Sequence, residues 1–216
     1  MIPLRDVIPS RTTPYITVTI IILNALAWFL ELSLPREELA VFLQVYGVVP
    51  ARFQVLTLLT SMFLHGGWMH VIGNMWYLWI FGDNIEDDFG HGRFLIFYLL
   101  CGLTAAVGQI VMEPASLLPT IGASGAIAGV MGAYFVLYPE SRILTAIFIV
   151  IFFDLVEIPA IFFLGIWFLM QLLSGVGSLG VNNAAAGGTA FFAHIGGFLT
   201  GLLIGALLRV RGGRRW

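Results

Sequence analysis

Long apolar runs separated by short polar breaks make up most of the chain, and no stretch sustains a period-two alternation of apolar and polar positions. A run of about 20 apolar residues matches a helix crossing roughly 30 Å of hydrocarbon. In lipid the backbone must satisfy its own hydrogen bonds, so such runs predict helices. The alternation of a membrane β-barrel is missing. Six spans are predicted: Tyr15 to Leu34, Trp68 to Phe81, Phe94 to Met112, Ser124 to Tyr138, Pro159 to Leu173 and Phe191 to Leu208. The fold class expected is an all-α membrane protein, a bundle of six transmembrane helices with a half-submerged first loop.

The breaks define the rest. Residues 1–14, with Arg5, Arg11 and three prolines, read as a short polar arm. The connection from about 35 to 68 is apolar but interrupted by Gln44, Gly47, Pro50, Arg52 and Gln54, which places it partly in the interface as amphipathic pieces. Asp154, Glu157 and Pro159 break the run from Ile143 to Leu173, so 143–158 is expected as a half-inserted loop. Residues 174–190, rich in Gly, Asn and Ala, form an uncharged loop. The chain therefore divides into an arm (1–14), a membrane domain (15–208) and a basic tail (209–216), with no soluble domain.

Composition agrees: the 216 residues are 59% hydrophobic and 10% charged, against about a quarter charged in soluble domains. All ten basic residues are arginines. With six spans, both termini share one side, and Arg5, Arg11, Arg93, Arg142, Arg209, Arg211, Arg214 and Arg215 fall there, leaving Arg36 and Arg52 opposite. The positive-inside tendency makes the arginine-rich side cytoplasmic. The first apolar run is long enough to be retained as a helix rather than cleaved. An integral multi-pass protein is expected, in the plasma (inner) membrane if the source is prokaryotic. The single cysteine, Cys101, excludes an internal disulfide and reads as a small core residue. Nucleic-acid, dinucleotide and metal-site motifs are not found.

Against this apolar background a few polar residues stand out, since such groups are costly in a membrane and tend to mark function. The fourth span opens with Gly122-Ala123-Ser124-Gly125, putting the Ser124 hydroxyl at a helix N-terminus, where free N–H groups favour negative charge. Taken alone, that string describes an N-cap serine better than a nucleophile. The second span carries His70 and Asn74 on one face, and the sixth opens with His194. Gly197, Gly201 and Gly205 share the face of His194, and Gly125, Gly129 and Gly132 stand on the fourth span. Rows of small residues let helices approach closely, which would bring His194 to Ser124. Counting spans puts Ser124, His194, His70 and Asn74 in the outer half. His194 can then act as general base to a Ser124 nucleophile, with His70, Asn74 and the Ser124 N–H as oxyanion donors. No Asp or Glu accompanies His194 in the outer half, so the pair reads as a dyad. Singly, each residue also has a structural reading: a packed histidine, an asparagine joining helices, glycines for packing.

In this order, His70-Val-Ile-Gly-Asn74, Gly122-Ala-Ser124-Gly125 and Ala193-His194-Ile-Gly-Gly197-Phe-Leu-Thr-Gly201 resemble the rhomboid intramembrane serine proteases. The resemblance implies Ser124 as nucleophile, His194 as base, His70 and Asn74 as oxyanion residues, Gly197 and Gly201 as packing residues and Glu86 as a structural acid. It implies a cap over the site at 174–190 and a substrate gate at span five. It also implies cleavage of single-span membrane proteins near the outer end of their helix, after a small residue, in contact with membrane lipid and without metal, cofactor or nucleic acid. Two positions depart from the family pattern. The first loop has Leu56-Thr57 where many members have Trp-Arg, and Ala128 stands where many bacterial members have a tyrosine packed on the histidine, so His194 must be oriented by something else. Three rivals stand beside the protease: a catalytically silent client-binding relative; a small transporter or channel, which would need polar residues through the inner half as well; and a metal site from His65, His70 and His194, for which a His65–His70 spacing of five is poor on one helix face. His65 reads as a loop residue and His91 as solvated.

Overall fold

A computed structural model describes residues 1–149, 152–178 and 190–212. In chain order they form β1 (Ile2–Asp6), α1 (Tyr15–Ser33), α2 (Arg36–Tyr46), α3 (Thr57–Thr60), α4 (Trp68–Phe89), α5 (His91–Met112), α6 (Ser124–Leu137), β2 (Arg142–Ile149), β3 (Phe152–Pro159), α7 (Ala160–Ser178) and α8 (Phe191–Gly212). Among them α1, α5, α7 and α8 are long and apolar enough to cross a membrane.

The shortest of the principal helices is the centre. From Gly125 to Tyr134 every residue of α6 is buried, as expected of a helix apolar on all sides. It packs against α8, α5, α4 and α7. A Cβ on Gly197 would collide with the Gly125 carbonyl oxygen, and one on Gly201 with the Gly129 carbonyl oxygen, so here the backbones of α6 and α8 touch. On the α5 side, Ala105 lies against Gly125 and Cys101 against Gly129. Only the absence of side chains at these glycines permits so close an approach.

One end of the bundle is closed by hydrogen bonds. The Glu86 carboxylate, fully buried in the last turns of α4, accepts from Ile16 N (2.9 Å), Thr17 N (2.8 Å) and Thr17 Oγ1 (2.7 Å), serving the free N–H groups that open α1. His91 Nδ1 lies 2.5 Å from Glu86 Oε1, so His91 is a partner in this cluster, with its side chain still 42% exposed. Arg11 pairs with Asp87 and Asp88. Because these contacts hold the acidic patch in regular structure, α4 runs to Phe89, beyond the predicted end at Phe81; Gly90, at φ 75°, makes the break to α5.

The same end carries a three-stranded antiparallel sheet, ordered β1-β2-β3, so the chain is predominantly helical rather than all-α. Part of the expected polar arm is strand β1, paired with β2 from Ile2↔Ala146 to Asp6↔Ile143. The expected half-inserted loop 143–158 contains the β2–β3 hairpin, in register from Arg142↔Pro159 to Ile149↔Phe152. Ile143 and Thr145 are buried while Asp154 and Glu157 are exposed, which suits a β-branched ribbon packed on one face. The Tyr134 hydroxyl donates to Asp6 Oδ2 (2.5 Å) and Trp76 Nε1 to the Pro3 carbonyl (2.6 Å), fixing β1 against α6 and α4. The expected loop at 174–190 starts later, since α7 continues to Ser178, and 179–189 lie outside the described residues, as do 213–216 of the expected tail.

Candidate active site

At the opposite end, the start of α6 meets the starts of α4 and α8. The turn into α6 contains Gly122 at φ 121°, a conformation suited to glycine, and a Cβ there would press on the His70 ring with its Nε2 at 2.7 Å. Gly122 N donates to the Ser61 carbonyl (2.8 Å), anchoring this turn to the first loop. Ser124 is then the first residue of α6 and its side chain caps nothing, which leaves the hydroxyl free for another partner.

That partner is His194, in the first turn of α8. Its Nε2 lies 2.8 Å from Ser124 Oγ. Its Nδ1 lies 2.8 Å from Gln171 Oε1 on α7, and its ring rests against Trp167, with centroids 5.8 Å apart. His194 is 9% exposed. Gln171 had no place in the sequence reading. The signal was there: from Ala160 to Leu173 it is the one side chain of α7 with a hydrogen-bonding amide, among otherwise apolar residues and Trp167.

The α4 side is held by a second set of bonds. His70 Nδ1 accepts from Gly66 N (3.3 Å), so the proton of the neutral ring is on Nε2, the nitrogen that faces Gly122. His65 lies in the loop before α4 but is only 1% exposed. Its Nδ1–H donates to the Phe63 carbonyl (3.3 Å), and its Nε2 accepts from Asn74 Nδ2 (3.0 Å). One N–H of the Asn74 amide is thereby used and the other remains to be donated. The Glu31 carboxylate, buried at the end of α1, accepts from His65 N at 3.1 and 3.2 Å and fixes the loop. Burial, with the neighbouring His70, pushes His65 down to about 4, so it is neutral at physiological pH and able to accept from Asn74. His65 is therefore part of the cluster, not a bystander in the loop.

The structure thus brings Ser124 and His194 into hydrogen-bond contact, sets His70 and Asn74 beside the turn that precedes Ser124, and places Gly125, Gly129, Gly197 and Gly201 at the α6–α8 contact. Among the described residues no three His, Cys, Asp or Glu side chains group as a metal site requires.

Fold and site together define a class: a multi-pass helical membrane protein with a serine–histidine pair held where three helices begin. The family model of the rhomboid domain matches residues 52–211, and the chain belongs to the rhomboid family. It is 31% identical over 160 residues to RHOMBOID-like protein 6, mitochondrial, of Arabidopsis thaliana, covering 74% of this chain and 45% of that protein. It is 37% identical over 124 residues to Rhomboid protease GluP of Bacillus subtilis, covering 56% of this chain and 24% of that one. It is 32% identical over 127 residues to the putative rhomboid protease YdcA of Bacillus subtilis, covering 57% and 62%. The chain therefore spans from about a quarter to three fifths of the length of these relatives.

Proposed function

We propose that the protein is an intramembrane serine endopeptidase that cleaves single-span membrane proteins near the outer end of their transmembrane helix. The observation that carries this reading is the 2.8 Å contact between Ser124 Oγ and His194 Nε2, within the reach a general base needs. Membership of a family whose relatives include named proteases supports it.

Ser124 Oγ attacks the scissile carbonyl as His194 Nε2 takes its proton. The tetrahedral oxyanion is met by the Ser124 N–H, His70 Nε2–H and the remaining Asn74 N–H, aided by the unpaired N–H groups of the α6 N-terminus. On collapse the peptide C–N bond breaks and His194 gives the proton to the leaving amine. The product is an acyl-enzyme on Ser124. Water, deprotonated by His194, attacks this ester, and its hydrolysis restores the serine. These steps use protein groups throughout.

The topology proposed with this has six crossings, adding α4 and α6 to the four long apolar helices, with both termini cytoplasmic and the region 35–68 half-submerged. Residues 15–208 form the membrane domain, flanked by the arm 1–14 and the tail 209–216. At 14 residues, α6 is about 21 Å long, shorter than a bilayer core, so Ser124 lies below the outer surface. A substrate helix must unwind to present a carbonyl there, which favours substrates with helix-breaking residues near the cut and a small residue before it. α7 is proposed as the gate for substrate entry.

The test is cleavage of a panel of single-span substrates by purified protein in detergent, with the cut mapped by mass spectrometry. Wild type is expected to cut near the outer helix end and Ser124→Ala not at all. Cleavage by the alanine variant would remove Ser124 from the reaction.

A further inference from the structure

We infer that Gln171 is the positioning residue for His194, fixing its tautomer and ring orientation through an Nδ1–H···Oε1 hydrogen bond from a different helix. This rests on His194 being the base of the proposed reaction.

Proton bookkeeping gives the direction of the bond. For His194 to take the proton of Ser124, Nε2 must be the bare nitrogen facing Oγ, and it lies 2.8 Å away. The ring proton of the neutral imidazole is then on Nδ1, so whatever faces Nδ1 must accept. The atom there, at 2.8 Å, is the amide oxygen of Gln171. Free imidazole side chains prefer the other tautomer, with the proton on Nε2, so the reactive form needs such an acceptor. An amide oxygen also tolerates the imidazolium formed when Ser124 is deprotonated, because both ring nitrogens then donate.

The packing around the ring is consistent with a device for orientation. Trp167, one helical turn before Gln171, lies against the imidazole at a 38° interplanar angle. Its other neighbour is Phe198, one turn after His194, at 6.1 Å. Phe168 stacks on the same Phe198 at 4.4 Å and 17°. Two successive turns of α7 thus supply a wall and an acceptor to a histidine that belongs to α8. Ser124 and His194 are held on α6 and α8 by backbone contact, while the acceptor arrives on α7, whose outward residues Phe162, Ile166, Leu169 and Leu173 are exposed. An outward displacement of α7 would take away the acceptor and leave the serine and histidine in place, so helix position and base competence are coupled. The site is a triad in geometry, with a neutral amide in the third place.

The experiment compares wild type with Gln171→Leu, Gln171→Glu and Ser124→Ala in detergent, reading kcat and KM on one cleaved substrate and the His194 ring by 15N NMR of histidine-labelled protein. Gln171→Leu keeps the bulk and loses the acceptor; kcat is expected to fall on the order of 10- to 100-fold, part of what a general base contributes, with KM within about twofold. Gln171→Glu restores an acceptor and is expected to recover most of kcat. The His194 signal is expected to pass from Nδ1–H in wild type to Nε2–H in Gln171→Leu. The inference is overturned if Gln171→Leu keeps kcat and tautomer, if the leucine and glutamate variants lose kcat alike, or if KM alone changes. Activity in Ser124→Ala would instead overturn the proposed reaction. The tautomer reading needs no turnover, so the two failures are distinguishable.

Discussion

The bonds around Asn74 determine how a single amide can serve the oxyanion. Its Nδ2 gives one hydrogen to His65 Nε2, so its remaining N–H has a fixed direction and, in the proposed reaction, would meet the oxyanion without reorganisation. Asn74→Ala is expected to lower kcat about 10²- to 10³-fold, the usual cost of losing one such donor, with little change in KM; steady-state kinetics on a cleaved peptide checks this. His65 adds a pH dependence. Burial holds it at about 4, below its ordinary 6.5. At this site the folded state then binds fewer protons than the unfolded chain between these values, so the contribution of His65 to stability is complete above about 6.5 and falls as pH drops toward 4. Protonated His65 would face the ring of His70 at 5.0 Å and lose its bond from Asn74, while Glu31 on α1 holds only its backbone N–H. In thermal unfolding in detergent, His65→Gln, which keeps an acceptor, is expected to lose less of its midpoint than wild type as pH drops across that window. Equal slopes would assign the loss to other groups. Ser124, His194, His70 and Asn74 stood out in the sequence because polar residues are rare in apolar runs. Gln171 obeys the same rule and His65 reads only as a loop residue, because their roles depend on a partner from another segment that spacing does not reveal.

Close packing of helices tolerates no new side chain where two backbones touch. Gly197 and Gly201 on α8 meet the carbonyls of Gly125 and Gly129 on α6, so Gly201→Val has to push the helices apart and carry His194 away from Ser124. Loss of cleavage is expected, with the thermal midpoint lowered by several degrees. Gly73, with no neighbour within 4 Å of an added Cβ, is the control, and Gly73→Ala is expected to fold and cleave normally. Full activity in Gly201→Val would contradict the role given to this contact. The glycine rows were legible because their period of three to four residues is local. The β2–β3 hairpin was not: Ile143 to Ile158 is an apolar run broken by Asp154 and Glu157, and half-inserted loop and ribbon make the same pattern. Its β-branched content was the available signal, and its third strand is contributed by β1, more than 130 residues earlier in the chain. Such a long-range partner is invisible to any window along the sequence.

Across the whole molecule the two ends have different tasks. The end with Glu86, the acidic patch and the sheet ties α1, α4, α5 and the first strand together, while the other end gathers the starts of α4, α6 and α8 around Ser124. Glu86→Ala would strand two backbone N–H groups at the start of α1 and leave His91 without its partner. A loss of stability on the order of 3 kcal/mol is expected from leaving two such donors unsatisfied, seen as a lower denaturation midpoint; kcat of the molecules that stay folded is expected to be near wild type, because the cluster is remote from the serine. Of the six spans proposed from apolar runs and arginine placement, four correspond to helices of sufficient length and apolarity to cross a membrane. The most direct measurement of the reactive pair is covalent labelling with a serine-directed fluorophosphonate, followed by peptide mapping, in wild type, Ser124→Ala and His194→Ala. Attack by an activated serine predicts labelling at Ser124 in wild type and essentially none in either variant. Equal labelling in all three, or modification mapped to a different serine, would contradict it.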